Sequence, residues 1–118
     1  MKNEIFLNEL KEKLEKEFKY CVESNTIKFY NQELNEKDEW DNIIINGVIA
    51  HLEQVYRHNG TSENVSCKVE FVKWKNNCGI LLDRIKIKQN ASEKQINNFI
   101  KKVKERYNEL NEGGVNNE

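Results

Sequence analysis

Apolar residues recur along the chain at helical spacing near both ends. Residues 4–18 place apolar side chains three and four positions apart and fill the other positions with Glu and Lys, which predicts an amphipathic helix. Residues 92–110 show the same spacing, and Ser92-Glu93-Lys94-Gln95 forms a capping-box pattern at its start. We therefore predict a first helix over 4–18 and a last helix over 92–110.

Residues 20–30 have strand composition, and two arrangements fit them. A tight turn at Ser24-Asn25 would pair Val22 with Ile27 and Tyr20 with Phe29. A single longer strand fits equally well, so both alternatives stay open.

The segment 42–58 carries two conflicting signals. Ile45-Asn46-Gly47-Val48 resembles a hairpin with an Asn-Gly turn. However, adjacent apolar pairs at 44–45, 48–49 and 55–56 do not fit an alternating pattern, whereas on a helix they fall within an arc of about 140°. We therefore predict a helix from about residue 38 to 58, which begins in an acidic run at 33–41 and ends at Asn59-Gly60.

Residues 65–75 and 79–88 predict two strands joined by a turn at Asn76-Asn77-Cys78-Gly79. One register opposes four apolar pairs and one ion pair. These pairs are Val69 with Ile85, Cys67 with Ile87, Val72 with Leu82, Trp74 with Ile80, and Glu70 with Arg84.

The predicted fold class is α+β. Two layers are expected, an antiparallel sheet of three to four strands packed with three helices, in the order α-β(β)-α-β-β-α. The second and third helices would cover the sheet, with the first at one edge. We predict a single domain over residues 1–111 and a flexible tail over 112–118.

Composition adds information on the setting of the protein. The 118 residues carry a net charge of -1 and include 16 Lys but 3 Arg, 18 Asn and no Pro, which favours an AT-rich bacterial or phage genome. No apolar run approaches the length of a membrane span, and we expect no signal peptide. Three cysteines without a Cys-x-x-Cys spacing indicate reduced thiols, so we expect a cytoplasmic protein without membrane contact.

Catalytic patterns are scarce in this sequence. No Gly-rich phosphate loop is present, and two histidines, His51 and His58, are too few for a predicted zinc site. Cys78 beside a glycine is the one suggestive thiol. We therefore expect no enzymatic activity, no metal and no cofactor. A small metal-dependent nuclease that uses Glu70 and Asp83, with Lys73 or Lys86 near, is the third hypothesis.

Charge is distributed unevenly along the chain. Residues 1–59 sum to -4 (8 basic, 12 acidic), and residues 60–118 sum to +3 (11 basic, 8 acidic). A basic strand at 84–88 and lysines on the last helix could hold a nucleic-acid backbone. The overall charge of -1 argues against a general nucleic-acid binder, so nucleic acid is the second choice of partner.

The leading hypothesis is a non-catalytic cytosolic protein-binding module of the inhibitor, adaptor or chaperone type, such as a phage or mobile-element accessory protein. Its partner would be another protein or a second copy in a homodimer, since the strand pair leaves an apolar patch that needs cover. The expected partner-binding residues are Trp74, Val72, Ile80, Leu82, Arg84, Lys86, Lys88, Lys101 and Lys104. An acidic surface that could replace phosphates in a basic groove comprises Glu33, Glu36, Asp38, Glu39 and Asp41.

Overall fold

A computed structural model describes residues 2–24, 26–55 and 66–116. The elements are α1 (Lys2–Glu15), β1 (Tyr20–Glu23), β2 (Ile27–Tyr30), β3 (Asn35–Lys37), β4 (Ile43–Ile45), β5 (Gly47–Val55), β6 (Ser66–Lys75), β7 (Cys78–Lys88) and α2 (Glu93–Asn116). His58 and the helix end predicted at Asn59-Gly60 lie outside the described residues. Residue 65, the predicted start of a strand, lies outside them as well.

Five strands form one antiparallel sheet in the order β1-β2-β5-β6-β7, and β3 pairs with β4 in a separate two-stranded sheet. The protein is therefore α+β, as predicted. It differs from the prediction in having two described helices rather than three, and a larger main sheet. Neither described helix is long and apolar enough to cross a membrane.

The predicted helix over 38–58 is wrong, because its described part forms the β3–β4 turn, β4 and β5. β5 is the middle strand of the main sheet, and its residues Val48, Ile49 and Ala50 are buried in succession. A strand buried on both faces has a continuous apolar run, which periodicity cannot distinguish from a helix. The run of β-branched residues at 43–45 was the signal that favoured strands.

The acidic run at 33–41 does not begin a helix, and Asn46-Gly47 does not form the turn of a hairpin. The acidic run contains β3 and a turn, while Asn46 lies between β4 and β5, which belong to different sheets. Gly47 starts β5 with φ at +129°, a conformation that favours glycine. A Cβ atom there would lie 2.6 Å from Cδ2 of Leu34, so the close approach of Leu34 also requires glycine.

The first hairpin confirms one of the two alternatives for residues 20–30, but its predicted register is wrong by one residue. Tyr20 pairs with Tyr30 and Cys21 with Phe29. The loop is therefore one residue longer than the two-residue turn expected at Ser24-Asn25. The Tyr20 and Tyr30 rings stack with centroids 5.1 Å apart.

The β6–β7 hairpin follows the predicted register over half of its length. Val69 pairs with Ile85 and Glu70 with Arg84, as expected. A β-bulge then shifts the strands, because Phe71 pairs with Asp83 but Val72 pairs with Leu81. The turn consists of Asn76 and Asn77, both at positive φ, so β7 begins at Cys78 rather than at residue 79.

Both helices pack on one face of the main sheet, so the prediction that α1 lies at an edge is wrong. Within α2 the predicted apolar stripe is buried, and its capping box forms, with Gln95 N donating to Ser92 Oγ and Ser92 N to Gln95 Oε1. The buried core includes Leu10, Leu14, Phe18, Phe29, Val69, Phe71, Ile96, Phe99, Val103 and Tyr107. The helix continues to Asn116, beyond its predicted end at residue 110, and the flexibility expected for 112–118 stays a prediction.

Candidate protein-binding surface

The β3–β4 hairpin forms a two-stranded sheet of its own, separate from the main sheet. We call residues 33–45 the acidic hairpin, because it carries all five members of the predicted acidic surface against one lysine. Glu33, Glu36, Glu39 and Asp41 are exposed to solvent, and Asp38 is half-buried. Their negative potential is therefore concentrated on one short element.

The turn of the acidic hairpin is held by the Asp38 carboxylate. Its Oδ1 accepts hydrogen bonds from the backbone N–H of Trp40 (2.8 Å) and of Asn42 (2.9 Å), and its Oδ2 accepts one from Asn42 Nδ2 (3.1 Å). These bonds stabilise the charged form and hold the pKa of Asp38 below its usual range, the backbone bond from Asn42 being the largest cause. Asp41 adopts a positive φ of 61°, which Asp tolerates better than most residues.

Trp40 lies in this fixed turn and is 75% exposed, the largest value among the exposed large apolar residues described. Ile43, the first residue of β4, is 63% exposed. Tryptophan is rarely left in water without a reason, and it is among the residues that contribute most to protein interfaces. The tip of the acidic hairpin, residues 38–42, and the neighbouring Ile43 thus present exposed apolar area in an acidic segment whose turn is already ordered.

Asparagines connect the acidic hairpin to the main sheet. Ile45 N donates to Asn77 Oδ1 (2.8 Å), and Asn77 N donates to Ile45 O (3.3 Å). Asn46 contributes three more bonds. Its N–H donates to Leu34 O (2.9 Å), its Nδ2 donates to Glu36 Oε2 (2.8 Å), and its Oδ1 accepts from Asn76 N (2.8 Å). The hairpin therefore has a fixed base at the β6–β7 turn.

The predicted apolar patch of Val72, Trp74, Ile80 and Leu82 is arranged differently from expectation. The bulge opposes Val72 to Leu81 and Trp74 to Gly79, so the predicted pairing of these residues is wrong. Val72 and Trp74 are half-buried, and the buried indole Nε1 of Trp74 has no hydrogen-bond partner among the residues that the structure describes. The exposed apolar area is instead on β7, where the three residues Ile80–Leu82 are 62%, 50% and 36% exposed.

The basic strand lies on the sheet face away from the helices, because Arg84, Lys86 and Lys88 alternate with the inward Ile85 and Ile87. Arg84 Nη2 lies 3.0 Å from Glu70 Oε2, so much of its charge is neutralised. Lys68 Nζ contacts the same carboxylate at 3.4 Å. This part of the face is therefore a mixed ionic surface rather than a purely basic one.

Lys101 and Lys104 do not extend that basic strand. They line a groove between α1 and α2, on the helical side of the sheet. Lys104 Nζ also lies 3.0 Å from Glu17 Oε2 on the segment after α1. Hence the two basic regions expected to act together are on different sides of the molecule.

The two carboxylates of the nuclease hypothesis are separated by the sheet. Asp83 pairs with the core residue Phe71 and accepts a 2.7 Å hydrogen bond from Arg106 on α2, which lowers the pKa of Asp83. Glu70 points to the opposite face. Among the described residues no group of three or more His, Cys, Asp and Glu side chains could hold a metal ion. The two carboxylates cannot share an ion, and the third hypothesis is dropped.

The remaining candidates for chemistry are isolated. His51 is half-buried on β5, burial and then Lys28 lower its pKa, and its Nε2 has no hydrogen-bond partner within the described structure. Cys78 is exposed at the start of β7 and pairs with Lys75 of β6. His51 pairs with Glu70 of β6, which lies five residues before Lys75. At about 3.3 Å per residue, that offset is roughly 16 Å, too far for a thiol–imidazole pair.

Comparisons with protein-family models, with curated proteins and with solved structures find no match for this chain. What the protein does is therefore inferred from its own geometry. Sequence reasoning did not include Trp40, Ile43 or Leu81 among the partner-binding residues, and all three are exposed apolar residues. Ile43 would have been found if the isoleucine run at 43–45 had been recognised as a strand. Leu81 would have been found if the β-bulge had been recognised.

Proposed function

We propose that the protein is a non-catalytic protein-binding module and that the tip of the acidic hairpin is its recognition element. The observation that carries this proposal is the 75% exposure of Trp40 in a turn fixed by three hydrogen bonds to Asp38. A turn whose backbone is already ordered loses little backbone entropy on binding. Trp40 therefore has the character of an interface anchor.

The negative charge near Trp40 indicates which surface chemistry a partner would need. Glu39 and Asp41 flank the indole in sequence, and Glu36 and Glu33 extend the negative surface towards the base of the hairpin. A complementary partner has an apolar pocket surrounded by Lys and Arg side chains. An inhibitor that occupies a basic groove, with carboxylates in the place of phosphates, fits this chemistry best among the inhibitor, adaptor and chaperone types.

The test is a comparative capture from the host with tagged wild-type protein, Trp40→Ser and a matched control, Val22→Ser. Val22 is also an exposed apolar residue, at 41%, but lies on β1 at the far edge of the main sheet. Each capture is repeated after nuclease treatment, which removes partners held through nucleic acid.

The supporting result is one protein retained by the wild type and by Val22→Ser, with or without nuclease, and lost with Trp40→Ser. With the purified partner, removal of an anchor should weaken the Kd by about 30-fold or more. Equal retention by all three forms would contradict the role of the hairpin. Glu39→Gln and Asp41→Asn should mainly slow association and reduce its salt dependence.

Nucleic-acid binding is the second candidate, and one observation favours it. Lys102 and the strand residues 85–88 line a single groove between β7 and α2, and the side chains of Lys86 and Lys88 lie on the other face of that strand. If this groove holds a phosphate backbone, labelled DNA or RNA should bind at about 50 mM salt and dissociate steeply towards about 200 mM. Lys102→Glu should weaken that binding, and absence of binding at the lower salt would remove this candidate.

A further inference from the structure

β7 is one of the two edge strands of the main sheet. It is the last strand in the order β1-β2-β5-β6-β7 and comprises 11 residues, whereas β1 at the opposite edge has 4. Within the described part of the chain, no strand pairs with the outer side of β7. The N–H and C=O groups along a long edge form a template for an additional strand.

The two halves of β7 differ in their suitability for such pairing. Lys86 and Lys88 are exposed in the second half, and lysine on an edge strand opposes the approach of another strand. The bulge at Leu82 also interrupts regular pairing beyond that point. The first half, Cys78-Gly79-Ile80-Leu81-Leu82, has no charged residue, and its three large side chains are 36–62% exposed.

We propose that this first half of β7 pairs antiparallel with the same segment of a second copy, with the twofold axis at Ile80. In that register Cys78 opposes Leu82 of the partner copy and Gly79 opposes Leu81, so all five pairs are uncharged. An isologous contact of this kind requires a self-complementary segment, which 78–82 is. The inference is independent of the function proposed for the acidic hairpin.

The charges on β7 do not oppose a second copy in this register. The two Lys86 side chains lie six residues on either side of the axis, about 40 Å apart at 3.3 Å per residue, beyond the range of strong repulsion. A register centred on the second half of β7 would instead oppose lysines directly. The net charge of -1 leaves little overall repulsion between copies.

The test is sedimentation velocity on the whole protein between about 5 and 500 μM, a range suited to a small, transient interface. Leu81→Lys places a charge within the proposed interface. Val22→Lys places the same charge on the exposed apolar residue of the opposite edge and is the matched control. Circular dichroism spectra establish that both variants fold.

The expected result is a dimer that forms with rising concentration in the wild type and in Val22→Lys, and a monomer in Leu81→Lys. A second measurement tests the register. Ile80→Cys in a Cys78→Ser background should form an intermolecular disulfide on mild oxidation, since residues on the twofold axis face each other at about 4.5–5.5 Å. A monomeric wild type, a dimer that survives Leu81→Lys or is broken by Val22→Lys, or absence of the disulfide would overturn the proposal.

Discussion

The phenolic oxygen of Tyr107, on α2, donates a 2.8 Å hydrogen bond to the backbone carbonyl oxygen of Val48, on the central strand β5. The same oxygen accepts a 3.2 Å bond from the backbone N–H of Asn31. Tyr107 is fully buried, which raises its pKa, and its ring meets Phe18 edge-on with centroids 5.0 Å apart. One side chain therefore links the long helix, the central strand and the segment after β2.

Tyr107→Phe should lower the free energy of unfolding by about 1–3 kcal/mol, because it leaves the buried carbonyl of Val48 and the half-buried N–H of Asn31 without their bonds while the ring still fills its site. Urea denaturation measures the change. Tyr30→Phe is the matched control, since Tyr30 is half-buried and its stacked ring is retained, and it should change stability by no more than about 0.5 kcal/mol. Equal losses in the two variants would contradict the role of the Tyr107 hydroxyl.

Acid should loosen the tip of the acidic hairpin before it unfolds the core. The pKa of Asp38 is lowered in the folded protein, so its bonds favour the turn above the usual aspartate pKa and are lost as the pH falls through the lowered value. We expect the amide resonances of Trp40 and Asn42 to shift below about pH 4. In Asp38→Asn this titration should be absent, and its persistence would assign it to another carboxylate.

Gly47→Ala should destabilise the protein by about 1–3 kcal/mol, since a residue with a Cβ is strained at φ +129° and the new methyl would press on Leu34. A double-mutant cycle separates these two causes. In a Leu34→Ala background the steric part disappears and the cost of Gly47→Ala should fall, although the backbone strain stays. Strict additivity, measured by urea denaturation, would show that the contact with Leu34 has no effect.

The three cysteines should react with a thiol reagent in the order of their exposure. Cys78 is exposed, Cys21 is half-buried, and burial of Cys67 raises its pKa to about 12. We expect Cys78 to be modified first and Cys67 only on unfolding. Time-resolved labelling with mass spectrometry, with Cys78→Ser as control, measures the order. Early modification of Cys67 in native protein would contradict the described core.

Elements whose signals are local were predicted well from the sequence. The capping box at Ser92 and the apolar stripe after it define α2, and the opposed residues of β6 and β7 define their register from Cys67 to Glu70. In each case the interacting residues are close in sequence or repeat regularly. Local patterning is sufficient there, because the burial of one face decides the structure.

The errors arose where tertiary structure overrides local pattern. The apolar run of β5 resembled a helix because the strand lies in the middle of the sheet, a position that the sequence does not state. The bulge at Leu82 shifts β7 by one residue without any glycine or proline to mark it. The acidic residues were identified as a surface, but they were assigned to a helix start, so the presentation of Trp40 on a turn was not foreseen.

The segment 38–42 forms the tip of the acidic hairpin, and its separation from the core has an evolutionary consequence. Among the described residues, the core cluster includes none between 35 and 47, and the bonds that shape the turn are made within 38–42 itself. Under the proposed function, stability and specificity would be encoded in different parts of the chain. Under that function the tip could diversify with a changing target without loss of the fold, and the protein could serve as a scaffold on which new recognition loops are selected.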